Sequence, residues 1–179
     1  MLRSLTSRQF GLVSRSQLQE RQISQRWIDN EIARGRLERL EPGVYRLAGS
    51  HADANQRALA ALLAGRGTSA LSHSSASALW QVPGYRFEPV HVTRLRDTAH
   101  SGATPATTHH PRLFLAEHLT ELDGLPVLRP APTCWSLATD GATMQRLERV
   151  IDNFLARRLM TTGQLADSVR EFAGRGRRG

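Results

Sequence analysis

The chain has 179 residues and a formal net charge of +8, enough for one or two small domains and too little for a large enzyme. All 24 of its basic residues are arginine, which excludes chemistry that needs a lysine amine: the phosphate lysine of a P-loop, a Schiff base, or the lysine of a PD-(D/E)xK nuclease. Cys134 is the single cysteine, so no disulfide forms within the chain, and the longest apolar run is the seven residues Ala58 to Ala64, far short of the roughly 18 a membrane helix needs.

With no signal-peptide pattern at the N-terminus, a cytoplasmic protein without a membrane partner is expected. Charge divides the chain into three parts. Residues 1–50 carry nine arginines and five acids, residues 51–145 seven of each together with all seven histidines, and residues 146–179 eight arginines and four acids. Two basic ends flanking a neutral middle predict an N-terminal module, a middle domain and a helical, basic C-terminal end.

In chain order, Ser4 or Thr6 begins a first predicted helix that runs towards Phe10 and stops at Gly11. Ser14 is an N-cap for a second, with Gln17 at the capping-box position and Leu18 facing inward. Ser24 caps a third, where Trp27, Ile28 and Ile32 form a buried stripe and Gly35 stands at the C-cap position. The run LERLEPGVYRLAG, from Leu37 to Gly49, then predicts two strands joined through Glu41-Pro42-Gly43. Three helices followed by a hairpin is the order of a winged helix-turn-helix.

Opposite the buried stripe the third helix carries Gln25, Arg26, Asp29, Asn30 and Ala33, with Arg34 and Arg36 at its end. Arginine reads guanine edges, and asparagine or glutamine reads adenine edges, in a major groove. Ser24, at the start of the helix, belongs to the same predicted DNA-binding set. Arg39 and Arg46 on the hairpin are expected to reach phosphates or the adjacent minor groove. The alternative is a solvated helix face with no ligand.

Beyond Ser50 the pattern predicts a helix striped by Ala58, Leu59, Leu62 and Leu63 and ending at Gly65, then a strand from Thr68 to Leu71. A helix capped by Ser72 runs through Leu79 and Trp80, and a strand follows from Val90 to Arg94 after a Pro83-Gly84 turn. A loop is expected from Asp97 to Pro105, with strands around Ala106 to Leu113 and Leu119 to Asp123. Two closing helices follow, Met144 to Leu159, and Gly163 to Ala173 capped by Thr162 and burying Leu165, Val169 and Phe172. The fold class expected is α+β, a winged helix-turn-helix over residues 1–49 followed by a mixed α/β domain over 50–173 ending in two helices. A mobile Gly/Arg tail, GRGRRG, is expected over 174–179.

Enzymatic chemistry finds little support. Ser72, His73, Ser74 and Ser75 lack a GxSxG elbow and read as capping and packing residues. His91, His109 and His110 suit a shared sheet, but adjacent strand residues point to opposite faces, so His109 and His110 cannot ligate one metal. Glu117, Glu121 and Asp123 read as a solvated edge, and Gly65-Arg66-Gly67 is no phosphate loop. No catalytic residue, metal or cofactor is expected.

The stretches QFGLVSRSQL (Gln9 to Leu18), RWI (Arg26 to Ile28), GRLERLEPGVYRLAG (Gly35 to Gly49), LSHSSASALW (Leu71 to Trp80), DGLPVLRPAPTCWSLA (Asp123 to Ala138) and IDNFLARRLMTTGQL (Ile151 to Leu165) resemble the AbiEi family. These are antitoxin-like regulators of abortive-infection type IV toxin–antitoxin systems. The resemblance spans nearly the whole chain and is most specific at PGVYRLAG. It implies a winged helix that binds inverted repeats in double-stranded DNA and represses its own operon, with Ser24 to Arg34 as recognition helix and Leu37 to Leu47 as wing. It also implies action as a pair on the repeat, and a cognate toxin as partner. Many relatives continue into an endonuclease domain related to very-short-patch-repair enzymes, which is not expected here.

The chain departs from the family between Val127 and Ala138. Relatives often read VTxPARTLLDLA where this chain has VLRPAPTCWSLA, so Pro132 stands in place of an arginine and Ser136 in place of an aspartate. The predicted function is a non-enzymatic, antitoxin-type transcriptional regulator. The alternatives are the DNA-targeting or adaptor portion of a nuclease whose catalytic domain is missing or separately encoded, and a module whose winged helix binds protein.

Overall fold

Strand residues alternate between the two faces of a sheet, and the N-terminal part uses that alternation to serve two cores at once. The computed structural model describes residues 6–65, 69–94, 106–112 and 114–173. In its first part, β1 (Leu12–Ser14) leads into α1 (Arg15–Glu20) and α2 (Gln25–Ala33), and then into β2 (Leu37–Glu41) and β3 (Val44–Leu47). The strands form an antiparallel sheet in the order β1-β3-β2. Val13 is paired with Tyr45, and Ser14 with Val44. Val13, Tyr45 and Leu37 pack under Leu18 of α1 and Ile28 of α2. Leu12 and Val44, on the opposite face, join the core of the rest of the molecule.

That larger part contains α3 (Ala54–Ala64), β4 (Ser69–Leu71), α4 (His73–Leu79), β5 (His91–Arg94), β6 (Thr107–His109), a short 3-10 turn (Ala116–His118), β7 (Leu119–Leu122), β8 (Leu125–Leu128), α5 (Pro130–Thr139), α6 (Met144–Ala156) and α7 (Thr162–Ala173). Its sheet has the order β6-β5-β4-β8-β7. The β4–β8 and β5–β6 pairs are parallel, while β4–β5 and β7–β8 are antiparallel. Ala58, Leu59 and Leu62 of α3 meet Leu71, Val92 and Val127 of this sheet in the same core as Leu12 and Val44. The hydrophobic core therefore runs continuously past residue 49. A second core gathers Cys134 and Leu137 of α5 with Val150 and Phe154 of α6. The described residues form a mixed α/β fold of seven helices and two sheets, and no described helix is long and apolar enough to cross a membrane.

Several elements differ from expectation. The first helix does not extend to Phe10: after Thr6 the chain makes turns, with the Gln9 and Gly11 N–H groups both donating to the Thr6 carbonyl. Strand β1 follows at once, its three residues too short to show a period of two. The hairpin partner of β7 was not foreseen, although Asp123-Gly124, both at positive φ, is a two-residue turn of the kind that joins antiparallel strands. Helix α5 has no counterpart among the predicted elements; Pro130 and Pro132 fall in its first turn, where N–H groups have no intrahelical partner and proline is accommodated.

Ser72 precedes α4 but makes no side-chain cap. The cap of α7 is Thr161 rather than Thr162, with Thr161 Oγ1 accepting from the Gln164 N–H at 3.1 Å. On α7 Leu165 and Phe172 are half-buried, but Val169 is exposed and Ser168 takes the buried position. Ser4, Arg66 to Thr68, the predicted 97–105 loop, Leu113 and the 174–179 tail lie outside the described residues.

The joint between the two parts is tight at Gly11. This residue has φ +80°, and a Cβ placed there would lie 2.1 Å from Ser50 Oγ and 2.5 Å from Ser50 Cβ. Nearby, the buried Gln56 donates from Nε2 to the Phe10 carbonyl at 2.6 Å and accepts from Arg46 Nη1 at 3.3 Å. Gly49 has the same φ of +80° with open space around it. Gly49→Ala should therefore cost about 1–2 kcal/mol from backbone strain alone. Gly11→Ala should cost about 1–3 kcal/mol more from overpacking. Urea denaturation of the two variants measures the difference.

Candidate nucleic-acid interface

Helix α2 is held at both ends by its own sequence. Ser24 Oγ accepts the Trp27 N–H at 3.3 Å, satisfying one of the free donors of the first turn. At the other end the Gly35 N–H donates to the Ile32 carbonyl and the Arg36 N–H to the Glu31 carbonyl, both at 2.9 Å; this pair of bonds is the Schellman closure. Ahead of α2, Ser14 and Gln17 form a reciprocal capping box on α1, at 3.2 and 3.0 Å. The two helices thus have defined starts, and Leu18 and Ile28, both fully buried, fix them on the sheet.

The outward face of α2 carries Gln25, Arg26, Asp29 and Asn30, all exposed. Gln25 Nε2 donates to Asp29 Oδ1 at 2.8 Å, whereas Arg26 is in no ion pair among the described residues. Arg39, also exposed, lies with its guanidinium carbon 6.0 Å from the centre of the Tyr45 ring. This is the outer limit of a cation–π contact, and no carboxylate among the described residues pairs with it.

The remaining arginines are differently engaged. Arg36 Nη2 donates to Glu31 Oε1 at 2.8 Å and Arg34 Nη1 approaches the same oxygen at 3.5 Å. Glu31 has only 11% of its side chain exposed. Its helical spacing from Ile28 and Ile32 already places it on the inward stripe, a signal present in the sequence. Arg46 pairs with Glu38 and bonds Gln56, which draws it into the joint between the two parts. Glu41, at the end of β2, has its carboxyl pushed upward by partial burial. Of the nine residues expected to touch DNA, Ser24 serves as a cap, Gln25, Arg26, Asp29 and Asn30 share one exposed face, Arg39 stands on the hairpin, and Arg34, Arg36 and Arg46 are tied to glutamates.

The serine cluster is structural. Ser75 Oγ donates to the Phe87 carbonyl and accepts from the His91 N–H, each at 2.8 Å, so it stitches α4 to β5. Glu117, Glu121 and Asp123 are exposed. No family model matches the chain, and no curated protein matches it.

The buried Cys134 thiol has its pKa pushed up to about 12 by desolvation, and reaction with thiol reagents requires the thiolate. Cys134 should therefore resist a disulfide reagent at pH 8 in the native protein and react with one equivalent once urea unfolds the chain. Rapid reaction before unfolding would contradict the packing of α5 against α6.

Proposed function

We propose that the chain is a DNA-binding transcriptional regulator of antitoxin type, similar to AbiEi proteins, in which residues 1–49 form a winged helix-turn-helix. On this reading α2 enters the major groove, the β2–β3 hairpin is the wing, and two copies bind an inverted repeat. The observation that carries the reading is the pairing pattern of the arginines. Arg26, on the outward face of a helix capped at both ends, and Arg39, on the adjacent hairpin, have no carboxylate partner among the described residues, while Arg34, Arg36 and Arg46 do. An unpaired guanidinium on a rigid helix face is a ready donor to guanine O6 and N7, and one on the β2 strand of the hairpin, opposite Tyr45, suits phosphate. Asn30, one turn from Arg26, adds a donor and acceptor for adenine.

The division of roles separates the variants in a gel-shift titration on the DNA upstream of the chain's own reading frame. Arg26→Ala should weaken binding by about 5- to 150-fold, corresponding to about 1–3 kcal/mol, and relax sequence preference. Arg39→Ala should weaken binding on every sequence and reduce the log–log salt slope by roughly 0.9, one phosphate contact. Arg46→Ala should lower thermal stability, because it removes a bond to the buried Gln56. Equal affinity for the upstream DNA and random duplex at moderate salt would refute the proposal.

A further inference from the structure

Three histidines far apart in sequence meet at one edge of the larger sheet. Strands β5 and β6 are parallel neighbours with His91 opposite Thr107 and Thr93 opposite His109, so His91 and His109 project from the same face. The third, His73, begins α4 directly after β4. The Ser72 N–H donates to the His91 carbonyl at 3.0 Å, which fixes the start of α4 over β5. The rings are in contact: His73 stacks on His109 with centroids 3.5 Å apart, and His91 Nδ1 lies 2.9 Å from His109 Nε2. One ring nitrogen from each of the three lies within 4.8 Å of the others. Sequence spacing could not place His73 beside the other two.

We propose that His73, His91 and His109 bind one divalent late first-row transition metal of the zinc class, leaving a coordination position open to the adjoining cavity. Imidazole nitrogen suits this class of ion, and three histidines with an open fourth position is a recurrent zinc arrangement. Metal–nitrogen bonds of about 2.0–2.1 Å in a tetrahedron set nitrogen–nitrogen distances near 3.3 Å. The His91–His109 nitrogen pair at 2.9 Å is already close to that value, and His73, stacked on His109, meets it by tilting its ring so that Nε2 turns towards the same point.

The surroundings support ligation. His73 Nδ1 is held by Ser72 Oγ at 2.8 Å, which leaves Nε2 as the coordinating atom, and a second partner on the far ring nitrogen is what orients ligating histidines. Ser72 spends its hydroxyl on this ring instead of capping the helix. His73 also holds a φ of +52°, an unfavourable backbone for a residue with a Cβ, and its N–H donates to Ser136 Oγ at 3.0 Å. Burial pushes the His73 pKa down to about 3 and lowers those of His91 and His109, against the opposing pull of Asp140 on the latter two. Beside them opens a cavity of about 740 Å³ lined by His73, Thr93, Thr108, His109 and Ser136 among others.

A second group, Glu117, His118 and Glu171, lacks the same freedom. His118 Nδ1 accepts the Leu115 N–H at 3.2 Å and Nε2 faces Glu171 Oε1 at 3.1 Å, so both ring nitrogens are spent inside the protein.

Titration of the full, tag-free chain with Co²⁺ tests the site, with visible absorption, equilibrium dialysis and thermal melting as readouts. The expected result is one equivalent bound, with the spectrum of a four-coordinate nitrogen and oxygen site, displaced by Zn²⁺. His109→Gln and His91→Gln should each weaken binding at least tenfold while melting as folded proteins, and His110→Gln and His118→Gln should leave it unchanged. His109→Gln, on the edge strand β6, carries the test if His73→Gln does not fold. No saturable binding by the unsubstituted chain, binding indifferent to His91→Gln and His109→Gln, or binding lost in His118→Gln would each overturn the proposal.

Discussion

Strand β3 is the element on which the rest of the molecule depends. It is the centre of the N-terminal sheet, and its consecutive residues Val44 and Tyr45 are both fully buried but in different cores. Tyr45 lies under α1 and α2, and Val44 lies against the core that α3 shares with the larger sheet. A shift of one residue in register would exchange these faces and expose both cores. The register is pinned locally: the Leu47 N–H donates to the Gly11 carbonyl and the Arg15 N–H to the Gly43 carbonyl, at 2.9 and 2.7 Å. Helix α2 and the hairpin are therefore attached to the body through a packed sheet, so the outward side chains are presented by a rigid support.

This rigidity gives the arginine pairing its meaning. Exposed ion pairs contribute little and exchange readily, so a formal charge count says only that the N-terminal region is basic. Burial distinguishes the arginines. Glu31 is nearly enclosed, and removing Arg36 would leave its carboxylate, with poor access to water, only the longer 3.5 Å contact with Arg34, a larger cost than losing an exposed pair. Arg36 is consequently a clamp on the C-terminal end of α2, whose loss would loosen the proposed reading helix. Arg46 is similarly committed, through Gln56, to the joint with α3. Which guanidiniums of this segment stay unpaired is set by where Glu31 and Glu38 lie rather than by how many arginines the segment holds.

What could be read from the sequence follows the range of the interactions concerned. Ser14, Gln17, Ser24 and Gly35 act within one or two helical turns, and their capping roles were legible from spacing alone. So were the hairpin through Pro42-Gly43 and the stripe of α3. Strands β1 and β8 were not, because three or four residues carry too little periodicity and depend on partners in β3 and β7. Helix α5 was not legible either, since its packing partners lie in α4, α6 and α7. At the candidate interface the residue types were legible, but the division between paired and unpaired arginines was not. Spacing gives the inward position of Glu31, but not the cross-strand pairing of Arg46 with Glu38 or its bond to Gln56, which lies outside the first fifty residues and reaches back to Phe10.

The histidine cluster presents the opposite relation between sequence and structure, since 18 residues separate His91 from His109 and only the parallel pairing of β5 with β6 unites them. Its energetics argue against a purely packing role. A buried polar ring costs free energy unless its nitrogens are satisfied, and an apolar side chain at the start of α4 would fill the same space without that cost. Instead the fold places His73 at a positive φ, diverts the Ser72 hydroxyl from capping to the ring, and supplies Ser136 to its backbone N–H. Each of these arrangements fixes the orientation of one imidazole, and none adds apolar contact. A shared ion would turn the convergence of one buried and two half-buried imidazoles into a set of bonds that holds β5, β6 and the start of α4 together.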